Sequence, residues 1–151
     1  MNTVIYVDAD ACPVKDETVR VAARHGLKTC LVSDGGLRPS RDPLAELVIV
    51  DRGPDAADDW IAGHIHQSDI CITSDIPLAA RCLERGALVL KLNGEAFTED
   101  GIGMALANRE LMQGLRESGE ITGGPKPFGK ANRSEFLNRL ETTVQAARRL
   151  K

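Results

Sequence analysis

The stretch Thr3-Val-Ile-Tyr-Val-Asp-Ala-Asp-Ala-Cys-Pro13 decides the fold of this chain. Its first five residues, Thr3 to Val7, are β-branched or aromatic, which is typical of a strand buried on both faces of a parallel sheet. Asp8 and Asp10 follow where such a strand would end. Ligands of open α/β sheets bind outside the carboxyl ends of the strands, so these two aspartates are candidates for a functional site. Asp10 could instead cap the helix that follows.

The overall composition is that of a globular domain. The 151 residues are 42% hydrophobic and 27% charged, with a formal net charge of −3, and a chain of this length buries roughly two-thirds of its unfolded surface in one core. It contains neither an apolar run of about 18 residues nor a signal peptide. We therefore expect a cytoplasmic protein without a membrane partner. The four cysteines lack CxxC spacing, which favours buried thiols over a zinc site.

Apolar strand patterns alternate with amphipathic helix patterns, which is typical of a parallel α/β sheet. The predicted strands are Thr3–Val7, Lys28–Val32, Leu47–Val50, Asp69–Thr73 and Ala87–Leu92. The predicted helices are Val14–His25, one that begins at Asp55, Ile76–Arg85, Gly103–Arg116 and Ser134–Arg149. The polar stretch Asn93–Asp100 is expected to be a loop. We predict a single three-layer α/β domain over residues 1–151, with a mainly parallel five-stranded sheet and helices on both faces. Residues 119–151 would add a loop and a C-terminal helix packed on the core.

Aspartates recur where the predicted strands end. They are Asp8 and Asp10 after the first strand, Asp55, Asp58 and Asp59 at the start of the helix after the third, and Asp75 after the fourth. Asp55 is the expected N-cap of its helix, and either of the next two aspartates could point into the crevice beside Asp8. Asp75 either caps its helix or binds a ligand, and Ser74 could take the capping role instead.

This set of carboxylates favours a cation site. Carboxylates that converge in a low-dielectric cleft repel one another and raise each other's pKa unless a cation neutralises them. A site made only of oxygen ligands suits Mg²⁺ or Mn²⁺. Such sites activate water and stabilise negative charge on phosphorus, so the indicated chemistry is phosphoryl transfer, most simply phosphodiester hydrolysis.

A segment rich in glycine and proline, residues 119–130, precedes the last predicted helix. Lys126, Lys130 and Arg133 could hold phosphates there, and Phe128 could stack on a base. The alternative is a solvated loop in which Phe128 is pinned to the body of the protein.

Five motifs of this chain resemble those of the YaiI/YqxD family of uncharacterised bacterial proteins. They are Val7-Asp-Ala-Asp-Ala-Cys-Pro-Val-Lys15, Gly53-Pro-Asp-Ala-Ala-Asp-Asp-Trp-Ile61, Thr73-Ser-Asp-Ile-Pro-Leu-Ala-Ala80, Phe97-Thr-Glu-Asp100 and Thr122-Gly-Gly-Pro-Lys-Pro-Phe128. The match covers nearly the whole chain, and the motifs are long and specific. The family name carries no established activity.

The wider resemblance is to PIN-like nuclease domains, in which three or four acidic residues bind Mg²⁺ or Mn²⁺ and cleave RNA or DNA. This resemblance implies that Asp8 is the acid that ends the first strand, that Asp58 or Asp59 is the acid of the central helix, and that Asp75 is the acid after the fourth strand. Four residues compete for the position of the fourth acid: Asp10, Glu95, Glu99 and Asp100. The segment from Gly119 onward lies outside the usual PIN core.

The leading hypothesis is therefore a nuclease that uses Mg²⁺ or Mn²⁺. Its metal ligands would be Asp8, Asp59 and Asp75, with Asp10 and Asp58 completing the catalytic set. Its substrate-binding residues would be Ser74, Lys126, Lys130 and Arg133. The partner would be RNA or DNA, and the sequence leaves the oligomeric state open.

Two alternatives remain. Asp8 and Asp10 also resemble the Asp-x-Asp motif of haloacid-dehalogenase-type phosphatases, with Ser33 and Lys91 as further members. Against that resemblance, Cys12 stands where a Thr or Val is expected. The other alternative is a nucleic-acid-binding or regulatory module without catalysis. An aromatic content of 3% and a net negative charge argue against strong unaided affinity for nucleic acid, because phosphate binding needs a cationic surface.

Overall fold

The computed structural model describes residues 2–10, 12–53, 55–117 and 129–150. The strands are β1 (Val4–Asp8), β2 (Lys28–Ser33), β3 (Ala45–Ile49), β4 (Ile70–Ile72), β5 (Leu88–Leu90) and β6 (Ala96–Phe97). The helices are α1 (Lys15–Arg24), α2 (Ala56–His64), α3 (Ile76–Glu84), α4 (Glu99–Glu117) and α5 (Lys130–Arg149). The predicted α/β class is confirmed, although α4 and α5 begin earlier than the sequence indicated, at Glu99 and Lys130 rather than at Gly103 and Ser134.

The strands form one sheet in the order β3-β2-β1-β4-β5-β6. Strands β1 to β5 pair in parallel, and β6 runs antiparallel to β5. The central strand is β1, in which Val7 pairs with Leu31 of β2 on one side and with Ile72 of β4 on the other. The carboxyl ends of the five parallel strands therefore lie along one edge, as the sequence predicted.

The sheet has six strands, so the predicted count of five was wrong. The additional strand, β6, lies in the stretch that we expected to be a loop. A two-residue strand leaves no alternating pattern to detect. A tight turn folds it back onto β5: the N–H of Lys91 donates to the carbonyl of Glu95 at 2.8 Å, and Gly94 in this turn has a φ of +90°, a conformation that glycine adopts without steric cost.

Side chains on the two faces of the sheet enter two separate cores. From β1, Ile5 and Val7 point into a core shared with α1 and α5, whereas Tyr6 points into a core shared with α2 and α3. This alternation is the period of two expected of a strand covered on both faces. Each fully buried aliphatic side chain stabilises the fold by about 1.5–3 kcal/mol, and the result is the predicted three-layer arrangement.

The last helix is part of the core rather than an appendage. Phe136, Leu140 and Val144 of α5 are fully buried against the face of the sheet that also carries α1. Arg133, near the start of α5, donates to the carbonyl of Pro13 and forms an ion pair with Glu17 at 3.0 Å. The C-terminal helix therefore supports the segment that leads from β1 into α1.

Helix α4 lies beside α3 and is less buried than the other helices. Its Met104 and Leu111 are 67% and 61% exposed, although the sequence pattern is that of an amphipathic helix. In the part of the chain that the structure describes, no helix has the length and apolarity needed to cross a membrane.

Candidate active site

The sheet has its topological switch point between β1 and β4. The helix that follows β1, α1, covers one face of the sheet, whereas the helix that follows β4, α3, covers the other. Because the connections after β1 and β4 leave toward opposite faces of the sheet, a crevice opens outside the carboxyl ends of these two strands. This is where open α/β sheets bind ligands. Asp8 ends β1 at this crevice, and residues 73–75 follow β4 there.

A buried hydroxyl joins the two strand ends. Thr73, which is fully buried, donates from Oγ1 to Oδ2 of Asp8 at 3.0 Å. The backbone N–H of Asp75 donates to the same Thr73 oxygen, also at 3.0 Å. Burial raises the pKa of Asp8, the Thr73 hydrogen bond opposes that rise, and the nearby carboxylates of Asp75 and Asp10 add to it. Asp8 is thus a partly desolvated carboxylate in a negative field.

Asp75 is the N-cap of α3, as one of the two predicted interpretations had it. Its Oδ1 accepts a hydrogen bond from the N–H of Leu78 at 2.9 Å. Pro77 lies in the first turn of the helix, where the N–H that proline lacks would have no partner within the helix. Asp75 also lines the crevice beside Asp8. Capping uses one carboxylate oxygen, so this role does not exclude ligand binding by the other.

Asp58, in the first turn of α2, is the third carboxyl group of the cluster. Its carboxyl group lies close to that of Asp75. Burial, then the negative charges of Asp75, Asp8 and Asp55, raise the pKa of Asp58 to about 7. Asp58 therefore keeps its proton at pH values where an ordinary aspartate is ionised.

Asp59 does not join this cluster through its side chain. Its Oδ1 accepts from Nη1 of Arg81 at 2.7 Å, and the side chain is 64% exposed. The structure therefore favours Asp58 over Asp59 as the third acidic residue, and our candidate ligand set becomes Asp8, Asp58 and Asp75. Because adjacent helical residues differ by about 100° in direction, Asp58 and Asp59 point to different surroundings. Asp59 pairs with the guanidinium of Arg81 on α3.

Asp10 is bound to the end of β2. Its Oδ1 accepts from the hydroxyl of Ser33 at 2.6 Å, and its Oδ2 accepts from the N–H of Asp34 at 3.1 Å. The predicted alternative in which Asp10 caps α1 is wrong, because the N-cap position of that helix is Val14. Asp10 instead fixes the loop after β1 against the neighbouring strand.

The crevice is lined by both acidic and basic side chains. It has a volume of about 720 Å³, and its polar lining residues are Asp8, Ser74, Asp75, Lys91, Asn108 and Arg109. Lys91 follows β5, while Asn108 and Arg109 project from α4. Ser74 was predicted to bind substrate and is exposed at this crevice. Asn108 and Arg109 were not predicted as site residues, because polar residues on a helix normally indicate a solvated face.

The predicted phosphate-binding residues of the C-terminal segment have other surroundings. Arg133 binds Pro13 and Glu17 and holds α5 to the start of α1. Lys130 is the exposed first residue of α5. Lys126 and Phe128 lie outside the described residues. Within the described residues, the positive charge that lines the crevice comes from Lys91 and Arg109 instead.

The carboxylate cluster matches a hard cation in the kind of its ligands but is not arranged as a ligand shell. Across residues 2–10, 12–53, 55–117 and 129–150, no three His, Cys, Asp or Glu side chains are placed to hold one metal ion together. Oxygen ligands of this kind suit Mg²⁺ and Mn²⁺. The negative charge of Asp75 raises the pKa of Asp58, so these two candidate ligands repel each other when both are ionised.

Comparison with known proteins places the chain in a family. Residues 6–146 match the model described as uncharacterized BCR, YaiI/YqxD family. A UPF0178 protein of Parvibaculum lavamentivorans is 60% identical over 147 residues, covering 97% of each chain. One of Paramagnetospirillum magneticum is 55% identical over 148 residues, covering 98% of each. No solved structure matches the chain. The resemblance of the sequence motifs is confirmed: this chain belongs to the YaiI/YqxD family of uncharacterised bacterial proteins.

Proposed function

We propose that the chain is a nuclease that uses Mg²⁺ or Mn²⁺ to hydrolyse phosphodiester bonds of RNA or DNA in the crevice between β1 and β4. The observation that carries this proposal is the convergence of Asp8, Asp58 and Asp75 at the switch point of the sheet. Strongly perturbed carboxyl groups in a cleft are typical of functional sites. Helix capping explains Asp75 alone, and it accounts for neither Asp8 nor Asp58.

The cation would be held by Asp8 and Asp75, with Asp58 as the third ligand. The chemistry of the donors fits, since all three offer carboxylate oxygens, and neither His nor Cys belongs to the described lining of the crevice. The proton that Asp58 retains because of its raised pKa is the charge that a cation would replace. When bound, the cation would lower the pKa of a water molecule and stabilise negative charge on the phosphate.

The remaining residues have roles that follow from their positions. Thr73 fixes the Asp8 carboxylate through its hydroxyl, so the direction of that ligand is set before substrate binds. Lys91 and Arg109 line the same crevice and would neutralise the phosphate backbone. Ser74 is exposed and also lines the crevice, and its hydroxyl would donate a hydrogen bond to a phosphate oxygen.

The geometry favours this function over a phosphatase of the haloacid-dehalogenase type. That mechanism needs a free acid/base two residues after the nucleophile, which would be Asp10. Both Asp10 oxygens already accept hydrogen bonds, from the Ser33 hydroxyl and from the Asp34 N–H. Lys91 does line the same crevice as Asp8, so the choice of substrate in the experiment must separate the two functions.

The first test is calorimetric titration of Mn²⁺ into the wild type and into three variants. We expect Asp8→Asn and Asp75→Asn to weaken binding at least tenfold, or about 1.4 kcal/mol, because each keeps the side-chain shape and removes a charge. Asn is also a good N-cap, so Asp75→Asn keeps α3 intact. Asp59→Asn is the matched control, since Asp59 pairs with Arg81 outside the cluster, and its affinity should equal that of the wild type.

Cleavage is then measured with single-stranded RNA and DNA and with a phosphomonoester. Metal-dependent cleavage of an oligonucleotide that Asp8→Asn abolishes would support the nuclease. Hydrolysis of the phosphomonoester alone would favour the phosphatase. If Mn²⁺ does not bind at about 1 mM, its binding free energy is weaker than about −4.1 kcal/mol, and the metal-dependent function is contradicted. Oligonucleotide binding without cleavage would indicate a binding module.

A further inference from the structure

A second, smaller cavity continues from the crevice. It has a volume of about 270 Å³ and is lined by Ser74, Ile76, Lys91, Leu92, Asn93 and Phe97. The first three of these residues also line the larger crevice, so the two spaces are contiguous. We call this cavity the side pocket. A ligand group anchored in the crevice can therefore extend directly into it.

The chemistry of the side pocket differs from that of the crevice. Ile76, Leu92 and Phe97 provide apolar walls, whereas the crevice walls are mostly charged or polar. Drug-sized ligands need pockets of roughly 300–1,000 Å³, so the side pocket accepts a smaller group, such as one planar ring system. Next to a site for phosphate, the apolar planar group of a nucleic acid is its base.

The side pocket also carries one oriented hydrogen-bond donor. Oδ1 of Asn93 accepts from the backbone N–H of Glu95 at 3.0 Å. A backbone N–H can only donate, so this contact fixes which end of the Asn93 amide is oxygen. The NH₂ end forms no hydrogen bond to any residue in the described ranges, and it remains able to donate to an acceptor on a base edge.

The wall that carries Leu92 and Asn93 is held by contacts within its turn and with α5. The turn between β5 and β6 is closed by the N–H of Gly94, which donates to the carbonyl of Lys91 at 3.0 Å. Gly94 is buried against α5, where a Cβ atom would stand 2.8 Å from Cβ of Arg139. On the other side, Nζ of Lys91 lies 5.1 Å from the centre of the Phe97 ring, a cation–π distance. A preformed pocket loses less conformational entropy on binding.

We propose that the side pocket binds one unpaired nucleobase adjacent to the phosphate that the crevice holds. The inference rests on the proposed function for the identity of the ligand. The base would pack against Ile76, Leu92 and Phe97, and Asn93 would donate to its edge. Because a paired base is stacked and hydrogen-bonded within a duplex, only single-stranded substrate fills both spaces.

The test compares ligands that share a phosphate and differ in the base. Adenosine and uridine 5′-monophosphates and ribose 5-phosphate are titrated calorimetrically into the full-length wild type in the presence of Mg²⁺. We expect at least one nucleotide to bind at least ~10-fold more tightly than ribose 5-phosphate, since stacking and burial of a base supply such a gain. The base advantage, the ratio of these affinities, is the readout.

Two variants and one control assign the advantage to the pocket. Leu92→Ala should reduce the base advantage to about threefold or less, because the apolar wall is lost. Asn93→Asp keeps the acceptor for the Glu95 N–H but removes the NH₂ donor. Its added charge acts on both ligands, so a lower ratio reports on the base. Leu47→Ala is the matched control: Leu47 is likewise a partly buried leucine packed on the same core but lies on β3, and it should leave the ratio unchanged.

Equal affinity for nucleotides and ribose 5-phosphate would overturn the inference, as would an unchanged ratio in Leu92→Ala. It would also be overturned if neither nucleotide bound at about 10 mM, which means a binding free energy weaker than about −3 kcal/mol. This measurement needs no cleavage. A base advantage in a protein that binds no Mn²⁺ and cuts nothing would therefore refute the proposed nuclease and leave the base pocket standing.

Discussion

The hydroxyl of Thr73 donates a hydrogen bond to Oδ2 of Asp8 at 3.0 Å while accepting one from the backbone N–H of Asp75. This one buried side chain connects the end of β1 to the segment that follows β4. It thereby holds the Asp8 carboxylate and the backbone of Asp75 together. The switch point of the sheet supplies the crevice, and Thr73 fixes these two residues beside it.

Replacing Thr73 by Val should destabilise the fold by about 1–3 kcal/mol, the cost of leaving buried polar groups without a partner. The N–H of Asp75 loses its acceptor, and the pKa of Asp8 rises further because the hydrogen bond that lowers it is gone. Thr73→Ser keeps the hydroxyl and should lose much less. Urea denaturation measures both changes, and equal losses in the two variants would contradict a role for the hydroxyl.

Replacing Asp58 by Asn should stabilise the protein at pH 8 and have a smaller stabilising effect at pH 5. The pKa of Asp58 is about 7 in the folded protein against an ordinary 3.8, so the folded state holds a proton that the unfolded state has lost. Stability therefore falls as the pH rises from about 4 through 7. After discounting for partial exposure to solvent, we expect a gain of about 1 kcal/mol at pH 8, or about 2–4 °C in Tm.

Asp59→Asn is the control for this measurement. Asp59 forms an exposed ion pair with Arg81, and such pairs contribute about 0–1 kcal/mol. Its removal should lower stability slightly and equally at both pH values. If Asp58→Asn showed the same flat profile, the raised pKa of Asp58 would be wrong.

Binding of Mn²⁺ should release protons at pH 6 and almost none at pH 8.5. At pH 6 Asp58, whose pKa is about 7, holds a proton, and metal ligands must lose their protons to bind. Calorimetric titrations in buffers of different ionisation enthalpy count the released protons, for which we expect about 0.5–1 per ion at pH 6. Asp58→Asn should abolish most of this release, whereas an unchanged release would remove Asp58 from the site.

Much of the fold and of the site follows from local sequence patterns. Continuous apolar runs ending in an aspartate predict buried parallel strands, and the shared edge of those strands predicts that Asp8 and Asp75 meet. The choice between Asp58 and Asp59 does not follow, since the two are neighbours on one helix. Arg81 of α3 decides it, and this contact exists only after the helices have packed.

The basic residues that line the crevice could not be predicted from the sequence either. In the sequence, Arg109 belongs to a helix whose polar residues read as an ordinary solvated surface. Only the packing of α4 beside α3 brings it to the crevice that Asp8 and Asp75 also line. The sequence instead predicted phosphate binding by the Gly/Pro-rich segment, because lysines in an irregular segment are typical of phosphate-binding loops. Arg133 just beyond it is used to hold α5 to α1.

Replacing Arg109 by Ala should weaken binding of an oligonucleotide several-fold and reduce the salt dependence of that binding by about one counterion. Arg109 is exposed on α4 and lines the crevice, so its loss should leave stability within about 0.5 kcal/mol. Arg149, exposed at the end of α5, is the control and should change neither quantity. Fluorescence anisotropy at several salt concentrations measures how steeply the affinity for the oligonucleotide falls with salt. The same salt dependence in both variants would contradict our assignment of Arg109 to phosphate binding.

Replacing Gly94 by Ala should destabilise the fold more than the same change at Gly36. Both glycines have positive φ angles, +90° and +82°, so both variants carry the backbone strain of a left-handed conformation. Only at Gly94 would the new Cβ atom meet a neighbour, 2.8 Å from Arg139 and 3.1 Å from Cα of Phe136. The difference between the variants therefore isolates the contact between the β5–β6 turn and α5.

We expect this difference to be about 1–3 kcal/mol, the usual cost of overpacking, as measured by urea denaturation. The same substitution should lower the base advantage of nucleotides over ribose 5-phosphate, because the turn that carries Leu92 and Asn93 would shift away from Phe97. Gly36→Ala should leave that advantage intact. Equal destabilisation by the two substitutions would mean that the turn yields without cost, and α5 would then not be what holds the side pocket in shape.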